Sequence, residues 1–300
     1  MNENTEKLND FRNQLEKSNL EKKDLSNSEL TDLNLDNINL IHAKLNDSNL
    51  SRSSFKNASL YGIDLSGSNL FKANFDGANL SNSNLNNCNL LGVNFTNSKL
   101  KNVNWGTDFK VKNELDADKA IASGDYELAI KKYKESEDIY RTLKISMQSQ
   151  TLGYETGEFF IREMTVRRKQ FKKTSLKRLG SKIIEITTGY GERLNNIFGT
   201  MIIVILVCMF LYGIEGVKYS DPINGERIIG FFNQDIEKFG LLNTIGNLFY
   251  FSVVVYSTVG FGEIIPIGPI GKSVMIFEGI IGGLILAILI IALYKKSMDR

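Results

Sequence analysis

Cysteine, histidine and an excess of charge of either sign are scarce in this 300-residue chain. Its two cysteines, Cys88 and Cys208, stand far apart in dissimilar settings, so no disulfide framework is implied and a reducing compartment suits the first half. The single histidine, His42, has no cysteine or acidic cluster at metal-ligand spacing, and nothing resembles a nucleotide pocket or a catalytic constellation. An enzyme is not expected, nor a bound cofactor. The opening Met-Asn-Glu-Asn-Thr-Glu lacks the apolar core of a secretory signal, which places the amino-terminal half in the cytoplasm. Net charge is +2, an average that conceals three unlike parts. Residues 1–110 are rich in Asn, Ser and Leu, residues 111–193 in charge, and the last third is apolar.

In the first part, every multiple of five from Leu15 to Trp105 is Leu, Phe or Trp, with Phe55, Phe75 and Phe95 interrupting the leucines. A helix needs a period near 3.6 and a flat strand a period of 2, so neither fits. A chain that turns a corner every five residues and points each of these side chains inward does fit. Two positions earlier stand small or compact residues, Ala43, Ala58, Ile63, Ala73, Ala78, Cys88 and Val93, suited to the remaining interior. Asn and His42 read as turn formers and solvent-facing residues.

Ala73-Asn74-Phe75 and Ala78-Asn79-Leu80 resemble the A-[DN]-L-x-x unit of the pentapeptide-repeat family. The resemblance implies a right-handed quadrilateral β-helix over residues 18–106, with about four repeats per coil and strands stacked about 4.8 Å apart. Residues 1–17 are expected to be an amino-terminal cap. Lys23 and Leu33 break the small-residue rule, so the first coil is expected to fray or to cap, with Trp105 as the lid at the other end. Some family members imitate DNA, which needs an acidic surface. Residues 15–105 carry nine acids and nine bases, so no nucleic-acid role is expected.

Helix formers fill residues 114–145, interrupted at Ser123-Gly124-Asp125 with Asp125 available as N-cap. Gly124-Asp125-Tyr126-Glu127, Ala129-Ile130 and Tyr133 are similar to a tetratricopeptide repeat, and a second break at Gly153 precedes Phe159, Phe160 and Met164. A TPR-like helical region over 114–166 is expected, packed on the solenoid, on another subunit or on the apolar part. From Arg167 to Lys182 there are eight bases and no acid. Such a juxtamembrane segment, 167–193, holds the cytoplasmic side and attracts anionic lipid, with Ile183–Leu194 as an interfacial helix.

Leu194–Ile214 carries no charge and is long enough to span a bilayer. A polar loop over 215–238, which includes Pro222, suits the outer face. Phe239–Gly262 is again uncharged, but a third span would put Lys295, Lys296 and Arg300 outside, against the charge bias. A short helix at 244–256, capped by Asn243 or Thr244, followed by an irregular stretch at 257–263, satisfies the rule that open backbone at membrane depth must line a protein-walled path. A second span covers 273–294.

Ser257-Thr258-Val259-Gly260-Phe261-Gly262-Glu263 resembles the T-V-G-[YF]-G filter of potassium channels. That resemblance implies a multidomain, multi-pass cell-membrane protein with an all-α two-span pore domain over 194–300, a re-entrant pore helix, and both termini cytoplasmic. It implies a homotetramer in which K+ is held by the carbonyls of Thr258, Val259, Gly260 and Phe261. Gly260 and Gly262 supply the positive φ that aligns those carbonyls. Departures are Phe261, which lacks the hydroxyl that a Tyr would use as a brace, and Glu263 where Asp is usual. Ser257, Glu263 and Glu278 are read as filter support, Glu278 facing protein instead of lipid. Gly282, with Gly283, resembles the family's gating hinge, or serves close helix packing. Ala287 would line the inner entrance. No spaced arginines form a voltage sensor, and no ligand-sensing domain is expected in the six residues after Tyr294. The expected function is passive, potassium-selective conduction; the alternatives are a weakly selective cation channel or a membrane-anchored scaffold without flux.

Overall fold

The computed structural model describes residues 20–221, 225–232 and 240–298. The expected cap at 1–17, Pro222 and Arg300 lie outside the described residues. The chain divides into two compact units, the first ending at Lys182 and the second beginning at Ile183.

The first unit begins with the solenoid. Parallel bridges join residues twenty apart, from Asp24↔Lys44 to Asn84↔Asn104, so four pentapeptides make one coil. At most corners the amide two residues before the next central position bonds back to the preceding central carbonyl, as Ala73 N does to Leu70 O at 2.9 Å. Such a corner needs a left-handed residue. That place is taken by Gly62, Gly67, Gly77 and Gly92 and by asparagines including Asn27, Asn57, Asn82 and Asn97, all at positive φ. Asn is the residue after glycine that adopts this region most readily, which accounts for the chain's asparagine content. Other asparagines stack into ladders along the coils, Asn89 Nδ2 to Asn69 Oδ1 at 2.9 Å and Asn69 Nδ2 to Asn49 Oδ1 at 3.1 Å.

Inside, the leucines are buried and the three phenylalanines stack nearly parallel, Phe55 on Phe75 at 5.0 Å and Phe75 on Phe95 at 5.7 Å between centroids. Buried Ser48, Ser53 and Ser68 at the small position bond between coils: Ser68 Oγ accepts from Ser48 N at 3.0 Å and donates to Leu45 O at 2.6 Å. Cys88 holds the same position with its thiol toward Leu65 O. Burial pushes the Cys88 thiol up to about 12. Since the thiolate is the nucleophile, a maleimide at pH 8 is expected to leave Cys88 unmodified in the native protein and to label it after unfolding. Labelling at equal rates in both states would contradict the packing.

Two expectations at the ends of the solenoid are corrected. The first coil is paired, with Lys22 N bonded to Ile41 O at 2.9 Å, and Leu33 takes its interior place without disruption while Lys23 is exposed. Trp105 is not the lid. It stands edge-on to Phe95, and Phe159 covers it in turn at 5.4 Å, so helices close this end.

Those helices are α1 (Lys112–Ala122), α2 (Tyr126–Gln148) and α3 (Gly153–Lys169). The break between α1 and α2 falls at Ser123-Gly124-Asp125, and the Asp125 carboxylate caps α2 by accepting from Leu128 N at 2.9 Å. Ala117, Tyr133, Tyr140, Leu143, Met147 and Phe159 join the solenoid's own core, so of the three packing partners expected for this region the solenoid is the one observed. Buried Glu114 is compensated by the Tyr140 hydroxyl and by Lys169 Nζ at 3.1 Å, as a charge removed from water requires. A further helix, α4 (Leu176–Thr188), follows.

The second unit contains α5 (Leu194–Glu215), α6 (Leu241–Tyr256) and α7 (Pro269–Met298). Helices α5 and α7 are long and apolar enough to cross a membrane; at 1.5 Å per residue, the 22 residues of α5 run about 33 Å. The expectation of an all-α domain is corrected by an antiparallel sheet, order β2-β1-β3, built from β1 (Val217–Asp221), β2 (Gly225–Ile229) and β3 (Ile264–Pro266). Val217, Ile229 and Ile264 alternate inward to pack with Cys208, Tyr212, Leu248 and Phe251, giving the sheet a buried face that a solvated loop lacks.

Candidate functional site

The site is assembled from the carboxyl end of α6, the stretch 257–263, β3 and the middle of α7. Helix α6 begins at Leu241 after Gly240, whose φ of 82° turns the chain, and neither Asn243 nor Thr244 caps it as expected. Both lie inside the helix, where the Asn243 carboxamide oxygen accepts from Asn247 and the Thr244 hydroxyl bonds to Gly240 O at 3.3 Å.

At its other end α6 holds the start of the glycine-bearing stretch. Ser257 N bonds Val253 O at 2.9 Å, Thr258 N bonds Val255 O at 3.0 Å and Val259 N bonds Val254 O at 3.2 Å. The Ser257 hydroxyl donates to Val254 O. Beyond this the backbone alternates: Thr258, Gly260 and Gly262 have φ of 58°, 58° and 78°. Nothing lies within 4 Å of a Cβ built on either glycine, so these glycines are required by backbone conformation and not by crowding. Thr258 is the unforeseen member. A β-branched residue in the left-handed region is strained, and such strain clusters at functional loops. Residues 258–263, including Val259, Phe261 and the Glu263 side chain, are exposed on the chain.

Behind this stretch Glu278 of α7 is fully buried. Its carboxylate accepts from the Tyr212 hydroxyl of α5 at 2.7 Å and from the Ser252 hydroxyl of α6, which also lies 2.9 Å from Ile205 O. One acidic side chain thus joins all three helices. Gly282 packs so closely under the end of α6 that an added Cβ would overlap the Tyr256 carbonyl. This close approach fits the close-packing reading of Gly282. Gly283 has no such neighbour, and Ala287 is exposed on α7.

Sequence reading missed Glu215. At the end of α5 its carboxylate accepts from Gly271 N at 2.7 Å, in the first turn of α7, where a negative charge complements the helix dipole. Gly268, against which the same carboxylate lies, leaves room for it. At the opposite ends of these helices Lys295 Nζ pairs with Glu192 at 2.6 Å. Part of the basic run is already engaged: Lys169 pairs with Asp118 at 2.7 Å and lies over Tyr133, and Arg178 donates to Phe171 O at 2.9 Å.

Residues 224–296 match the family described as ion channel, and residues 34–70 and 72–104 match pentapeptide repeats in eight copies. Among solved structures, the chain is similar to a pentapeptide repeat protein (Rfr23) from the cyanobacterium Cyanothece 51142, at 42% identity over 28% of this chain and 56% of that one, TM-score 0.27. It is also similar to a pentapeptide repeat protein from the Arabidopsis thaliana thylakoid lumen, at 27% identity over 28% of this chain and 62% of that one, TM-score 0.18. The chain therefore spans less than two thirds of the length of either. No curated protein matches it. The chain carries pentapeptide repeats in its amino-terminal part and an ion-channel domain in its carboxy-terminal part.

Proposed function

We propose that this chain is the subunit of a homotetrameric, potassium-selective channel of the cell membrane that conducts passively. The observation that carries the reading is the left-handed alternation at Thr258, Gly260 and Gly262, in an exposed stretch held at the carboxyl end of a short apolar helix between two membrane-length helices. An alternating backbone turns successive carbonyls to one side. Four copies about a common axis would then replace a potassium ion's water with the carbonyls of Thr258, Val259, Gly260 and Phe261. In this reading α6 is the re-entrant pore helix, its negative carboxyl end favouring a cation. Glu278 and Ser257 support the filter from behind, and Ala287 lines the inner entrance. No cofactor takes part; K+ is the permeant substrate.

The solenoid and its TPR-like helices stand in the cytoplasm with both termini and serve assembly or regulation. Helix α4 lies in the inner interface. Leu176, Leu179, Ile183 and Ile186 are exposed on one side of it, while Lys177, Arg178 and Lys182 occupy the other and face anionic headgroups. A second reading is a weakly selective cation channel on the same architecture; Phe261 and Glu263 bear on the stability of the filter more than on its selectivity.

Purified protein in potassium-loaded liposomes is expected to release potassium, and removal of residues 1–165 is expected to leave selectivity intact. A scaffold predicts no flux from the full chain. A truncated tetramer that has lost its potassium preference would refute the division of labour.

A further inference from the structure

The exit of the filter needs a brace; Phe261 carries no hydroxyl, and on the single chain the Glu263 side chain is exposed. We propose that the outer sheet is that brace, with Ser220 as its positioning residue. The proposal rests on the potassium-channel reading above and names a part of the chain that this reading leaves without a role.

Glu263 O accepts a hydrogen bond from Ser220 N at 3.0 Å. The next three residues then pair in register, Tyr219↔Ile264, Lys218↔Ile265 and Val217↔Pro266. Strand β1 starts two residues after α5 ends, so this pairing fastens the filter's exit to the outer helix by backbone alone. The far side of the sheet is fastened as well. β2 pairs with β1 along its whole length. Just beyond it, Phe231 N bonds Gly213 O of α5 at 2.8 Å, with the Phe231 ring seated against Gly213. Val217, Ile229 and Ile264 complete the attachment by packing against Tyr212, Leu248 and Phe251.

The filter is therefore held at two points. Its entry hangs on the last carbonyls of α6, and its exit on the amide of Ser220. Because the ion's ligands are main-chain oxygens, a shift of the exit moves them directly. An amide donor in a strand ladder acts whatever side chains stand at 261 and 263, which is how these two departures coexist with an ordered exit.

The test uses the full chain, purified and reconstituted, with potassium against sodium permeability and the decline of current under sustained conduction as readouts. Ser220→Pro removes the amide hydrogen, and Ser220→Ala keeps it. Ser220→Pro is expected to lower the permeability ratio, or shorten the conducting period, by at least about tenfold, as loss of one backbone bond in each of four subunits implies; Ser220→Ala is expected to match the parent. Should Ser220→Pro fail to assemble, the pair Lys218→Cys with Ile265→Cys decides, since directly opposed strand residues lie within disulfide reach. Its oxidation is expected to slow the decline, reversed by reductant. A selective parent whose Ser220→Pro variant is unchanged in both readouts, or whose cross-linked pair declines as before, overturns this inference alone. A parent without potassium selectivity overturns it together with the reading it rests on.

Discussion

Gly260→Ala is expected to abolish potassium-selective flux from liposomes while the protein still inserts and assembles. Gly260 sits at φ 58° with no atom near its missing side chain, so an added methyl would find space but not a relaxed backbone. Holding an L-residue in the left-handed region costs about 1–2 kcal/mol. Four copies must adopt it together, so the cost reaches roughly 4–8 kcal/mol, which depopulates the conducting arrangement by about a thousandfold or more. Gly199→Ala, in the second turn of α5 with no atom within 4 Å of the new carbon, is the control and is expected to conduct as the parent does. Equal flux from both variants would mean that the alternation at Thr258, Gly260 and Gly262 is not what aligns the carbonyls.

The second large effect belongs to the solenoid. Phe75 is fully buried between the near-parallel rings of Phe55 and Phe95, and a coil in such a stack contacts only its neighbours. Phe75→Ala leaves a ring-sized gap that a ladder-bonded backbone cannot close, so a loss of about 3–5 kcal/mol is expected. Hydrogen exchange on the intact protein is the measurement: amide protection should fall across residues 55–95 and stay unchanged in α5. Lys56→Ala, on the exposed side of the same coils, is expected to change protection by no more than about 0.5 kcal/mol. Undiminished protection in the Phe75 variant would contradict a core built from this stack.

How much of this was legible in the sequence differs by element. The solenoid was plain because its period of five is neither helical nor extended, and because one residue type after another repeats the same duty. Asn and Gly at many of the corners state a backbone requirement as well as a location. The two long helices and the break at Ser123-Gly124-Asp125 were legible for a similar reason: uncharged length in one case, an N-cap in the other. The ends of the solenoid were misjudged because Leu33 fits an interior place that the small-residue rule denied it, and because Phe159, which covers Trp105, lies 54 residues further on. The outer sheet was hidden by its own composition. Residues 215–238 count as polar, yet Val217 and Ile229 alternate with charges, and Asn224-Gly225 is a hairpin signal of the kind that should have raised a strand pair. Its third strand, Ile264–Pro266, offers three residues across the filter from its partner, too few and too distant for any local pattern. Glu278 drew attention as a charge in an apolar run. Glu215 did not, because an acid at a helix end next to a polar loop looks like an ordinary solvated residue, and only the approach of Gly271 makes it a link.

The central claim is that carbonyls of Thr258, Val259, Gly260 and Phe261 from four chains select potassium. Its most direct test is the reversal potential of the purified, reconstituted protein with potassium on one side of the bilayer and sodium on the other. The account predicts a reversal potential displaced close to the potassium equilibrium value, and loss of that potassium current in Gly260→Ala. A reversal potential near zero in the unaltered protein, with current flowing, would contradict it.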